Sequence, residues 1–86
     1  RDLAVIVDSA VLAGTVLSLI SGQELVAEAV LFDVYTGDNL PAGKCSLAYH
    51  IHFQSPDKTL DAEEVGQALK DIVQTLEREV NAQLRQ

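Results

Sequence analysis

The chain has 86 residues, with six basic and thirteen acidic side chains and a formal charge of −7. With 48% apolar residues it can build one small core but no second catalytic lobe. The acidic balance argues against non-specific attachment to a phosphate backbone, no apolar run approaches the roughly 18 residues of a membrane span, and the single cysteine, Cys45, fits a reducing, cytoplasmic setting.

Leu3 to Val7 reads LAVIV, a short β-branched run expected to be a strand with Leu3, Val5 and Val7 on one face. Val11 to Ser21 carries Leu12, Val16, Leu19 and Ile20 at helical spacing, with Ser9 as a candidate N-cap and Gly22 at the C′ position. Leu25 to Tyr35 is the second expected strand. Alternation puts Val26, Glu28, Val30, Phe32 and Val34 on one face and Leu25, Ala27, Ala29, Leu31, Asp33 and Tyr35 on the other. The larger apolar side chains of the first set point it to the core, with Glu28 at a frayed end.

Thr36 to Lys44 holds Gly37, Asp38, Asn39, Pro41 and Gly43, turn chemistry that closes a hairpin. Cys45 to Phe53 alternates cleanly. Cys45, Leu47, Tyr49, Ile51 and Phe53 face the core, and Ser46, Ala48, His50 and His52 face water. Asp61 and Glu64 form an acidic capping box, and Val65, Leu69, Ile72, Val73, Leu76 and Val80 make the apolar stripe of a helix from about Ala62 to Asn81. Gln83 to Arg85 is a candidate edge strand.

This order is that of an α+β, ferredoxin-like βαββαβ sandwich, a four-stranded antiparallel sheet with both helices on one face. Strands one and three lie in the middle. The uncovered face then gathers Leu31, Asp33 and Tyr35 from strand two beside Ser46, Ala48, His50 and His52 from strand three. An exposed ring, a carboxylate and a hydroxyl on an open sheet are the groups with which proteins stack and read single-stranded bases.

At the same residues the chain resembles a known family. Arg1-Asp2-Leu3-Ala4, LFDVYTG from Leu31 to Gly37 and KCSLAYHIHFQSPDKTL from Lys44 to Leu60 look like the C-terminal ferredoxin-fold anticodon-binding domain of the bacterial phenylalanyl-tRNA synthetase β subunit. The resemblance covers nearly the whole chain. It implies that the first anticodon base of phenylalanine tRNA, a guanine, stacks on Tyr35 and is hydrogen-bonded by Asp33 and Ser46. It implies no catalytic residue and no cofactor in this domain. The parent would be an α2β2 synthetase that uses ATP and Mg²⁺ elsewhere, with the rest of the β subunit and the α subunit as partners. A start at Arg1 and the lack of methionine are read as residues 1–86 forming one domain cut from that longer chain. Neither a membrane nor DNA is an expected partner. Where family members often carry a basic residue on strand three, this chain has His50, followed by His52. The roles of Arg1, Lys44, Lys58, His50 and His52 toward phosphates stay open.

Plainer readings stand beside these. Tyr35 serves equally well as an ordinary strand former, Asp33 as a turn acceptor and Ser46 as a neutral strand residue. His50 and His52 lack the further ligands that structural zinc requires. Cys45 reads as a small buried hydrophobe. The contrasting functional class is a ligand-sensing or assembly module of ACT-like type, whose βαββαβ units pair and bind amino acids between them. A small enzyme is disfavoured, because no triad or phosphate loop is present.

Overall fold

A computed structural model describes residues 1–85. The elements run β1 (Asp2–Asp8), α1 (Ala13–Ser21), β2 (Val26–Tyr35), β3 (Lys44–Phe53), α2 (Ala62–Val80) and β4 (Gln83–Leu84). The four strands form one sheet in the order β2-β3-β1-β4, with every neighbouring pair antiparallel. The expected sandwich is therefore present, with β1 and β3 central.

Both central strands alternate as the sequence requires. Leu3, Val5 and Val7 of β1 and Cys45, Leu47, Tyr49 and Ile51 of β3 are all buried. They meet Val16 and Ile20 of α1 and Ile72 and Leu76 of α2. Each fully buried aliphatic side chain contributes about 1.5–3 kcal/mol. Tyr49 is the largest of these fully buried groups, and its hydroxyl donates to the Ala13 carbonyl at 3.0 Å. That bond ties the middle of the sheet to the first residue of α1. Burial, and secondarily the nearby Cys45, push the Tyr49 phenol up to about 12.

Helix α2 starts as expected. The Asp61 carboxylate accepts from the Glu64 amide at 2.8 Å, and the Glu64 carboxylate accepts from the Asp61 amide at 3.4 Å. Replacing Asp61 by alanine is expected to cost about 1 kcal/mol, read as a lower melting temperature, because one of the helix's free amides loses its partner. An unchanged melting temperature would show that Glu64 alone holds this end. The helix ends at Asn81, which takes the left-handed conformation at φ 55° and is followed by buried Ala82.

The start of α1 departs from expectation. Leu12, not Ser9, is the N-cap residue, and no side chain caps this end. The Ser9 amide instead donates to the Gly43 carbonyl at 2.9 Å, and the Asp8 carboxylate accepts from the Ala10 amide. Ser9 is thus held in the turn that leaves β1. Gly22 closes the helix in a right-handed conformation, φ −75°, so the left-handed glycine cap expected there does not form.

The larger correction concerns β2. Val30, Phe32 and Val34, expected in the core, are 46%, 47% and 55% exposed. Ala29 and Leu31, expected on the open face, pack against the core. Glu28 pairs in register with His52, whose side of the sheet is open, rather than facing inward at a frayed end. The cause is two register shifts against β3, one between Val26 and Glu28 and one between Leu31 and Asp33. Each inserts an extra residue, Ala27 and Phe32, and each reverses the alternation of the residues beyond it. Val34 lies opposite buried Leu47, yet the helical layer does not reach it. The molecule measures 44 × 22 × 21 Å, longer than its nine-residue α1 can cover.

Candidate nucleic-acid interface

The second register shift decides which side chains face outward at the hairpin end of the sheet. Because Phe32 is extra, Asp33 lies opposite Ala48 and Tyr35 lies opposite Ser46. On the other side, Ala48 and Ser46 pair with Ala4 and Ile6 of β1. These residues occupy the face away from the helices, so Asp33, Tyr35 and Ser46 converge there as the sequence predicts. Leu31, also expected on the open face, turns inward opposite Tyr49.

Three features lie outside the sequence expectation. Ser46 is only 3% exposed, although the alternation makes it a solvent-facing residue. Its two ladder neighbours, Ile6 and Tyr35, flank it closely. Second, Arg85 follows β4, and its amide donates to the Ala4 carbonyl at 2.9 Å, which continues the ladder. The guanidinium carbon lies 5.0 Å from the centre of the Tyr35 ring, so the side chains of the two outermost strands meet across β1 and β3. Small residues on that row, Ala4 and Ala48, leave them room. Third, the Phe32 and His50 rings stack, with centroids 3.9 Å apart and planes 14° apart, and His50 Nδ1 meets the Asp2 carboxylate.

Gly37 is part of this geometry. A Cβ built there would stand 2.7 Å from Tyr35 Cζ, so only glycine lets the ring lie along the turn. The hairpin closes through Gly43, at φ 78°, with the Lys44 amide donating to the Pro41 carbonyl at 3.2 Å.

The cations left open by the sequence separate by place. Lys44 sits in the same alternation as Ser46 and lies opposite Asp8, at the hairpin end of the open face. Arg1 lines a cleft with His52, Leu60, Asp61 and Val65, at the end of the sheet opposite the hairpin. Lys58 pairs with Glu64 at 2.5 Å, and this hydrogen bond raises its ammonium above the usual range. Such an exposed pair adds little stability. His52 is exposed, and among the described residues no group of three or more His, Cys, Asp or Glu side chains could hold a metal ion. Among the described residues no helix is long and apolar enough to cross a membrane. A cleft of about 350 Å³ on the helix side contains Glu24, Glu64 and Asp71 in its wall and no basic residue.

Comparison with known proteins agrees with this fold. The chain matches the model of the ferredoxin-fold anticodon binding domain over residues 1–85. It is 45% identical over 85 residues to the phenylalanine–tRNA ligase beta subunit of Anaeromyxobacter dehalogenans, covering 99% of this chain. It is 41% identical over 87 residues to that of Geobacillus kaustophilus, again over 99% of this chain, and 44% identical over 88 residues to that of Moorella thermoacetica, over all of it. The chain spans 11% of the length of each of these relatives. A βαββαβ sandwich with one uncovered face and a match along all the described residues lead to one assignment: the chain belongs to the ferredoxin-fold anticodon-binding domain family.

Proposed function

We propose that the open sheet face binds the anticodon of phenylalanine tRNA as a module of a phenylalanine–tRNA ligase beta subunit. The observation that supports this most is the cross-strand pairing of Tyr35 with Ser46, with Asp33 two residues away on the same face. In this reading Tyr35 stacks on the first anticodon base, a guanine. Asp33 accepts from its N–H groups, and the Ser46 hydroxyl completes the hydrogen bonding.

Arg85 must yield for this to happen. An exposed cation–π contact is worth about 0.5–1 kcal/mol, whereas stacking one base on an aromatic ring is worth about 1–3 kcal/mol. A base therefore displaces the guanidinium from the ring with a net gain. The freed Arg85, together with Lys44, then meets phosphates. The domain adds base-specific contacts and register, and most of the affinity comes from the remainder of the β subunit and from the α subunit of an α2β2 enzyme. ATP, Mg²⁺ and phenylalanine are handled elsewhere in that enzyme, in the cytoplasm.

A titration with the anticodon stem-loop of phenylalanine tRNA tests this. Replacing the first anticodon guanine should weaken binding about tenfold or more. With two cations, Lys44 and Arg85, reaching phosphates, log K should fall with log salt at a slope of about −1.4. Equal affinity for the original and replaced loops would overturn the reading. Absence of RNA binding together with a dimer in sedimentation would favour an assembly module instead.

A further inference from the structure

The open face carries a second aromatic group that the Tyr35 site does not use. Phe32 is 47% exposed, although it lies in the middle of a strand. Its ring is stacked on His50, whose side chain is 57% exposed. The Asp2 carboxylate holds His50 Nδ1 from the next strand and so fixes the imidazole parallel to the phenyl ring. Phe32 is itself the extra residue of the second register shift, which frees its ring from the inward alternation of Leu31 and Val34. An ordinary surface strand would place a polar residue there.

We infer that Phe32 and His50 form a second nucleobase platform, which takes another unpaired base of the same strand that binds Tyr35. This inference rests on the proposed anticodon reading and extends it. Ala48 and His50 lie two and four residues from Ser46 along β3, which sets the Phe32–His50 pair about 7–13 Å from the Tyr35 row. A single strand splayed along the β2–β3 hairpin reaches both platforms. Two aromatic groups on neighbouring strands of an open sheet are how such faces hold successive bases. The surrounding carboxylates of Asp2, Glu28 and Asp33 repel phosphates and accept from amino groups. The chemistry therefore favours a base that carries an exocyclic amino group, with its phosphate turned to solvent.

The test uses the chain of 86 residues, carbon-13 labelled in its aromatic rings, and the phenylalanine tRNA anticodon stem-loop followed by NMR. The expected result is that the Phe32 and His50 ring signals shift in step with those of Tyr35. Phe32→Leu should then weaken binding about five- to a hundredfold while the Tyr35 signals still respond. Because Phe32 is half exposed, its replacement leaves the core intact, and an unchanged amide spectrum of the free variant verifies this. Tyr35 shifts without Phe32 or His50 shifts would overturn the second platform and leave the first reading standing. So would undiminished affinity of Phe32→Leu. If no aromatic ring responds even with the stem-loop in large excess, both readings fall.

Discussion

Tyr35→Ala is expected to weaken binding of the anticodon stem-loop by about 1–3 kcal/mol, five- to more than a hundredfold, with the melting temperature nearly unchanged. The ring is half-buried on the uncovered side of the sheet, and its contacts are to Gly37 and the Arg85 guanidinium rather than to the core. Its removal therefore costs little folding energy. Tyr35→Phe separates ring from hydroxyl and should retain most of the affinity if stacking is the main contribution. In a complete ligase the alanine variant should raise the KM for tRNA and leave phenylalanine activation by ATP unaffected. Equal affinity of Tyr35→Ala and the unsubstituted chain would remove the ring from the binding site. A large fall in the variant's stability would show that the ring serves the fold instead.

Tyr49 is the opposite case, a tyrosine that serves the fold. Tyr49→Ala is expected to cost about 3–5 kcal/mol, since it empties a large, fully buried position and removes the hydroxyl that donates to the Ala13 carbonyl. A chain of 86 residues has only about 4–13 kcal/mol of total stability, so this variant should melt at least about 12 °C below the unsubstituted chain. Tyr49→Phe keeps the ring and loses one hydrogen bond, about 0.5–1.5 kcal/mol. It also isolates a pH effect. The phenol ionises near 10 in the unfolded chain and at about 12 in the folded one. The folded state thus holds the proton more tightly, and this contribution is fully present below pH 10 and lost as pH rises to 12. The loss amounts to about 2–3 kcal/mol. Urea unfolding at pH 9 and about pH 11.5 should show a smaller drop for Tyr49→Phe than for the unsubstituted chain. Equal drops would assign the alkaline loss to other groups.

How much of this structure is legible in the sequence depends on how regular each element is. The central strands β1 and β3 each have one strictly apolar face, so alternation alone gives their orientation. Helix α2 has both a capping box and a stripe, and its limits fall where those signals lie. Strand β2 is apolar on both faces, with Val30, Phe32 and Val34 as bulky as Ala29 and Leu31. Simple alternation cannot register an extra residue, so it inverts the faces of the stretch between the two shifts. Asp33 and Tyr35 still fall where alternation puts them, because the shift at Phe32 restores the expected parity beyond it. Arg85 is out of reach for another reason. Strand β4 is two residues long, and nothing in Gln83 to Arg85 fixes its register against β1. Its contact with Tyr35 depends on that register, on the small side chains of Ala4 and Ala48, and on pairing across the full width of the sheet.

The extra residues in β2 also bear on how the protein behaves among copies of itself. Strand β2 is ten residues long, lies at the margin of the sheet and exposes Val30, Phe32 and Val34. A straight strand of that kind would offer a continuous row of amides and carbonyls to any passing chain. Interruptions at Ala27 and Phe32 break the row into short pieces whose hydrogen-bonding groups no longer align with a regular partner. The opposite margin, β4, is too short to recruit a neighbour. An apolar, base-sized surface can thus stay open to solvent without inviting the sheet to grow from one molecule into the next.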